Sequence, residues 1–199
     1  MQKKLISIVF PVFNEAGNIE TLLKKVKQHV PNKYDYTYLF VDDGSNDETL
    51  SILKKLSKTD LKVKYISFTR NFGHQYALKA GLDVASGDAV ISMDGDGEHP
   101  AELLPKMIRE WEKGVKIVYT RRASDPNLST MKNLTSNFFY RLINWMSETK
   151  VEVGTADFRL LDREVVKTLK ALPESTLFLR GLVTWSGYSA VALNYSPGR

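Results

Sequence analysis

Residues 5–12 read Leu-Ile-Ser-Ile-Val-Phe-Pro-Val, a short and nearly continuous apolar run rich in β-branched side chains. A strand with one wet face would alternate polar and apolar residues, so an unbroken run of this length reads as a strand buried on both faces. The period then changes. Ile19, Leu22, Leu23, Val26 and Val30 recur at helical spacing, and Asn18 stands where it can cap the helix start. The same alternation continues down the chain. Strands are expected at 36–41, 63–68, 89–93 and 115–119. Helices are expected from about 47 to 56, burying Leu50, Leu53 and Leu56, then at 75–85, and around Leu103, Leu104, Met107, Ile108 and Trp111. Strand alternating with helix predicts an α/β domain with a mainly parallel central sheet flanked by helices on both faces.

After Tyr119 the rhythm changes. A loop over 121–129 leads to a helix with Met131, Leu134, Phe138, Leu142 and Trp145 on one face. Asp157 and Arg159 then place charges in an apolar context, and 163–172 reads as a further helix. No internal repeat or low-complexity stretch interrupts the chain. The reading is one domain over 1–199, with a first half at 1–120 and a second at 121–199.

With 199 residues, 43% of them hydrophobic, the chain can bury a core of ordinary size for one domain. It has no cysteine, which removes disulfides, thiolate metal sites and thiol nucleophiles. The net charge of +5 is modest, and lysines such as Lys24, Lys25, Lys27, Lys54 and Lys55 fall on helices as a solvated face does. No arginine and aromatic stripe accompanies them, so nucleic acid is not an expected partner. Residues 5–12 are too short for a secretion signal and run into polar sequence. No apolar run approaches the ~20 residues of a membrane-spanning helix.

In parallel α/β sheets ligands collect at the carboxyl ends of the strands. Phe13-Asn14-Glu15, Asp42-Asp43-Gly44, Arg70-Asn71 and Asp94-Gly95-Asp96 all fall there. Asp94 and Asp96 are carboxylates one residue apart, directly after an apolar strand. Magnesium or manganese is typically held by one or two carboxylates together with substrate phosphates, and Gly95 lets the backbone approach a ligand. An Asp-Gly turn without a ligand reads the same residues equally well. Asp43 can accept from a nucleobase N–H or a ribose hydroxyl, while Ser45, Asn46 or Asp47 caps the next helix. Arg70 can pair with a diphosphate. His74 alone is a weak signal, and His99 is expected beside the ligands rather than among them. Neither G-x-G-x-x-G after the first strand nor G-x-x-x-x-G-K-[ST] is present, which removes the two commonest nucleotide-binding loops.

Five segments in order carry a resemblance: Pro11-Val12-Phe13-Asn14-Glu15, Val41-Asp42-Asp43-Gly44-Ser45-Asn46-Asp47, Arg70-Asn71-Phe72-Gly73-His74-Gln75, Asp94-Gly95-Asp96, and Asp157-Phe158-Arg159-Leu160-Leu161-Asp162-Arg163. Together they resemble glycosyltransferase family 2, and within it the branch of dolichol-phosphate mannose synthases and bacterial undecaprenyl-phosphate glycosyltransferases. The resemblance implies a GT-A, Rossmann-like fold with an acceptor-side C-terminal portion, and an inverting, metal-dependent transfer from a nucleotide diphosphate-sugar to polyprenyl phosphate. UDP is favoured over GDP by the bacterial side of the likeness. It implies that Pro11, Phe13, Glu15 and Asp43 hold the nucleoside, and that Asp94 and Asp96 hold ribose, diphosphate and Mn2+ or Mg2+. Glu98, where the branch often has glutamine, is expected as a third metal ligand. Phe13 replaces a usual tyrosine, keeping an aromatic face and losing a hydroxyl. His99 replaces a frequent aspartate.

On the acceptor side the resemblance implies Arg122, Lys132, Arg159 and Arg180, the last within the segment 178–185, and it places Arg199 at the diphosphate. Membrane-associated helices usually follow that arginine in this branch, so a membrane-attached parent protein acting at the cytoplasmic face is expected, with this chain its soluble catalytic part. A homo-oligomer is compatible with the sequence. Two other functions are open: transfer to a sugar hydroxyl in polysaccharide synthesis, and a nucleotide-sugar-binding module without turnover. A hydroxyl acceptor would need a base, for which Asp157 is the candidate. The same residue can instead pair with Arg159 or Arg163.

Overall fold

The computed structural model describes residues 3–122, 155–172 and 179–195. Strand β1, Leu5–Val12, is buried from Ile6 to its end, as its unbroken apolar run predicts. Helix α1 (Ile19–His29) follows, then β2 (Asp35–Asp42), α2 (Thr49–Thr59), β3 (Val63–Ser67), α3 (His74–Val84), β4 (Ala89–Ser92), a 3-10 turn at Ala101–Leu103, α4 (Leu104–Glu112) and β5 (Ile117–Arg122). The second half contributes β6 (Thr155–Asp162), α5 (Arg163–Ala171), α6 (Leu179–Trp185) and β7 (Ala190–Tyr195). All seven strands form one sheet in the order β3-β2-β1-β4-β6-β5-β7. Neighbours pair in parallel except around β6, which runs antiparallel to both β4 and β5.

Alternation along the strands sorts the core into two layers. Ile6, Ile8 and Phe10 of β1 face Leu22, Leu23 and Val26 of α1 and Leu104, Met107 and Ile108 of α4. Phe10 stacks on Phe40 at 4.7 Å between ring centres. Val9 and Leu39 point the other way, toward Ala77 and Leu78 of α3 and Val165 and Leu169 of α5. Helices on both faces of a mainly parallel sheet are the expected architecture.

Three local expectations are corrected. Asn18 does not cap α1 with its side chain; its amide donates to Glu15 Oε2 at 2.7 Å. Neither Ser45 nor Asn46 caps α2. Asp47 Oδ1 takes the Thr49 N–H at 2.9 Å instead, while the Ser45 hydroxyl accepts from the Asn14 N–H. Of the three leucines expected inside α2, Leu53 is buried and Leu50 and Leu56 are half-buried, because α2 packs over β2 and the edge strand β3. The apolar context read around Asp157 and Arg159 is strand β6. Its Phe158 and Leu160 enter one core layer while Asp157, Arg159 and Leu161 face the other.

Helix α3 lies so close to the sheet that a Cβ on Gly81 would sit 2.2 Å from Val9 Cγ1 and 3.2 Å from Val41 Cγ2. Alanine gains ~1 kcal/mol in helix propensity, yet overpacking against a stiff valine costs more. Gly81→Ala is therefore expected to destabilise by about 1–2 kcal/mol net, read as a lower denaturant midpoint at unchanged m-value. A midpoint at or above wild type would mean that α3 does not press on β1 this closely.

Candidate functional site

The carboxyl ends of β1, β2 and β4 open on one cavity of about 310 Å3. Pro11, Phe13, Glu15, Asp43, Asp94, Gly95 and Asp96, all predicted site residues, line it, joined by Asn71 and His74. A larger cavity of about 430 Å3 lies around Lys3, Tyr36 and Lys62, near the start of β2 and away from these carboxylates.

The loops around the cavity are bolted to each other. Asn14 adopts a left-handed backbone (φ 56°) that asparagine tolerates better than most residues. Its Oδ1 accepts the Asn46 N–H at 2.8 Å, and the Glu15 N–H donates to Thr49 Oγ1 at 2.9 Å. Asp42 is fully engaged inside the protein, accepting from Ser45 N at 3.0 Å and from the Ser67 hydroxyl at 2.8 Å. Asp43 accepts the Phe72 and Gly73 N–H groups at 2.7 and 2.9 Å. A carboxylate has about four lone-pair positions, so Asp43 can both hold this loop and accept from a ligand. Arg70 stands apart: it is exposed, its guanidinium lies over the Phe72 ring at 4.3 Å, and it lines a neighbouring cavity with Ser67 and Asn71.

Gly95 is required by packing against β1 as much as by any ligand. A Cβ there would lie 2.4 Å from Val12 Cγ1 and 3.1 Å from the Pro11 carbonyl. The flanking carboxylates differ. Asp96 is exposed and takes the Glu98 N–H at 2.9 Å. Asp94 is partly buried between two imidazoles, with Oδ1 3.6 Å from His74 Nε2 and Oδ2 3.7 Å from His99 Nε2. Its N–H, just past the end of β4, donates to His99 Nδ1 at 3.2 Å. His99 is itself buried and stacked on Phe158 at 5.1 Å. Burial pushes the Asp94 carboxyl above its usual range, and the two histidines oppose that rise.

Glu98 is exposed and does not line the cavity, and among the described residues no three carboxylates or histidines converge into a metal cage. Two carboxylates facing a cavity still suit Mg2+ or Mn2+, because these ions complete their shells with substrate phosphates and water. Asp94 and Asp96 fit that role; Glu98 has no such placement.

The second half of the chain enters the site through Asp157, which is 3% exposed. Arg180 grips it bidentately, Nε to Oδ1 at 3.0 Å and a terminal nitrogen to Oδ2 at 2.9 Å. Arg159 donates to Oδ1 at 2.9 Å and Gln75 to Oδ2 at 3.2 Å, and His74 Nε2 lies 3.4 Å from Oδ2. Burial alone would raise this carboxyl, but His74, Arg180 and Arg159 together hold it far below the usual range. Contact with Asp157, reinforced by Asp94, raises His74 above the ordinary histidine range against the effect of burial. A carboxylate so saturated and so acidic is a poor proton acceptor, so the base suggested for Asp157 does not suit its surroundings. The pairing with Arg159 is present; Arg163 instead donates to the Ser86 carbonyl. Arg159 is 5% exposed, and one terminal nitrogen donates to both Asp157 and the Ala156 carbonyl while its buried Nε has no hydrogen-bond partner among the described residues; burial, not saturation, sets it back from the expected acceptor contacts. Arg122 ends β5, and Lys132 and Arg199, like the helix expected around 131–145, lie outside the described residues.

A mainly parallel sheet with one antiparallel strand, and acids at its strand ends, is the architecture expected of a GT-A domain. The glycosyl transferase family 2 model matches residues 7–170, and the chain belongs to that family. It is 42% identical over 191 residues to the bactoprenol glucosyl transferase of Shigella phage SfV, covering 96% of this chain and 62% of that one. It is 41% identical over 190 residues to the uncharacterized glycosyltransferase YkcC of Bacillus subtilis strain 168, covering 95% and 59%. The chain thus spans about three-fifths of the length of these relatives. Among solved structures it resembles the glucosyl-3-phosphoglycerate synthase of Mycobacterium tuberculosis in complex with Mn2+, UDP and phosphoglyceric acid, at TM-score 0.68 and 19% identity, covering 98% of this chain and 69% of that one. It also resembles the mannosyltransferase PcManGT of Pyrobaculum calidifontis in complex with GDP-Man and Mn2+, at TM-score 0.65 and 20% identity, covering 98% and 55%.

Proposed function

We propose that this domain transfers a hexose, with inversion, from a nucleoside diphosphate sugar to polyprenyl phosphate, with UDP rather than GDP as the donor nucleotide. The observation that carries the reading is the state of Asp157. Its oxygens are taken up by Arg180, Arg159 and Gln75, which leaves a transfer without an evident base on that side. A sugar hydroxyl needs a base, whereas a phosphate ester with a second pKa near ~6 is already a nucleophile at neutral pH. The bactoprenol glucosyl transferases, 42% identical, support the lipid acceptor.

In this reading Phe13, Glu15 and Asp43 receive the nucleoside at the ends of β1 and β2, and Asp94 and Asp96 sit at the diphosphate. A divalent cation bound there would supply positive charge for the departing diphosphate. The acceptor phosphate oxygen forms its bond to the anomeric carbon as the bond from that carbon to the diphosphate oxygen breaks, through an oxocarbenium-like transition state. Arg180, 38% exposed at its side chain and held on Asp157, would meet the acceptor phosphate together with Arg122 and Lys132; Arg199 would meet the diphosphate, and Arg70, which lines the neighbouring cavity, would have to reach it from there. A lipid acceptor puts the reaction at a membrane surface, which we take to be the cytoplasmic face; no described helix is long and apolar enough to cross a membrane.

The test supplies the detergent-solubilised protein and Mn2+ with labelled UDP- or GDP-hexose, and with polyprenyl phosphate or oligosaccharide. Label entering the organic phase only with polyprenyl phosphate is expected, faster from the UDP sugar. Label confined to the oligosaccharide would overturn the acceptor reading, and nucleotide binding without transfer to either would leave a binding module.

A further inference from the structure

His74 lies outside the residues that the function above requires, yet the fold places it with care. Asp43 holds the N–H groups of Phe72 and Gly73, so the loop after β3 closes and α3 begins at His74. The imidazole then lies on the cavity wall, 41% exposed at its side chain. Its Nε2 stands 3.6 Å from Asp94 Oδ1 and 3.4 Å from Asp157 Oδ2. Asp94 belongs to the end of β4 and the donor half. Asp157 belongs to β6, and it carries Arg180 of α6 in a bidentate grip. The imidazole therefore reaches from one half of the site to the other.

Resting on the function proposed above, we propose that His74 is a positioning residue that ties Asp94 to the Asp157–Arg180 pair and so fixes the separation between donor diphosphate and acceptor phosphate. At 3.6 and 3.4 Å the two contacts are ion-pair distances rather than formed hydrogen bonds. They can tighten when substrates fill the cavity, as catalytic hydrogen bonds commonly do. A tie of this kind acts on relative placement, where a shift of ~1 Å can cost ~100-fold in rate. Its loss should therefore fall on kcat, with donor affinity largely spared.

The experiment compares His74→Ala and His74→Gln with wild type. For His74→Ala we expect kcat to fall about 10- to 100-fold. The donor KM, and the calorimetric affinity for UDP with Mn2+, should stay within about threefold, and Tm within about 3 °C. His74→Gln, whose amide N–H can occupy the same position, should recover most of kcat. A second readout is independent of turnover: amides of α6 should exchange with solvent about tenfold faster in His74→Ala and at the wild-type rate in His74→Gln. An unchanged kcat in His74→Ala would overturn the proposal. So would an equal loss of nucleotide affinity, which would make His74 a direct donor contact, or a lowered Tm that glutamine does not restore, which would make it a packing residue. If wild type transfers to no lipid, the acceptor reading fails, and the exchange measurement alone decides the tie.

Discussion

Replacing Asp94 or Asp96 by alanine is expected to lower turnover by ~100-fold or more, the usual consequence of removing a group that stabilises charge on a leaving group. The fold predicts a difference between the two. Asp94 is partly buried, with an imidazole beside each oxygen, so its loss also leaves His74 and His99 without their shared partner. Asp96 is exposed and contacts only the Glu98 N–H among the described hydrogen bonds, so Asp96→Ala should leave stability unchanged. Steady-state rates at saturating Mn2+, with thermal melts of each variant, separate these effects. Activity near wild type in both variants, insensitive to a chelator, would remove the acidic pair from the chemistry. Glu98→Gln, by contrast, should keep most activity, since Glu98 does not line the cavity.

The second large effect is on stability. Asp157→Ala leaves Arg159, 5% exposed, without its counter-charge. Breaking a buried pair by removing one partner typically costs about 3–5 kcal/mol. Asp157→Asn keeps the shape and loses the charge, and it should sit between alanine and wild type. The sign with pH follows from the depressed carboxyl. In wild type the stabilisation is fully present above the unfolded carboxyl pKa of about 3.9, and it is lost as pH falls from there toward the lower folded value. The variants lack this contribution and also the His74 stabilisation that depends on Asp157, so their deficit relative to wild type should grow as pH falls through the histidine range, level off near pH ~5 and shrink below about 4. Denaturant midpoints across that range measure it. A deficit that does not change on acidification would mean that Asp157 is not ionised by its arginines.

The parallel half of the sheet was legible because doubly covered strands are written as unbroken apolar runs, as in 5–12 and 89–93. Strand β6 was not, because Asp157 and Arg159 interrupt its apolar pattern. Only pairing with β4 and β5 reveals that these charges lie buried on one face while Phe158 and Leu160 fill the other. At the site, the strand-end clusters were readable from their position after apolar runs, and seven of the predicted residues share one cavity. His99 was read as standing beside the ligands, and it stands beside Asp94; His74 was not legible. A single imidazole has no spacing to announce it, and the neighbours that give His74 meaning stand far away in sequence. Arg159 misled for the opposite reason: an arginine next to a candidate acid looks available to a substrate, and only the fold shows that it is buried against Asp157.

The place of β6 also bears on how the chain comes off the ribosome. The first four strands can assemble in order as they emerge, but Ala89–Ser92 keeps one bare backbone edge until residues 155–162 arrive to zip against it. Strand β5 emerges before either of its sheet neighbours, β6 and β7. A nascent chain of about 120 residues would thus hold a nearly finished strand-end cavity beside an open, apolar seam of the kind that invites adhesion between chains. The strand that brings Asp157 into the site is also the one that closes that seam.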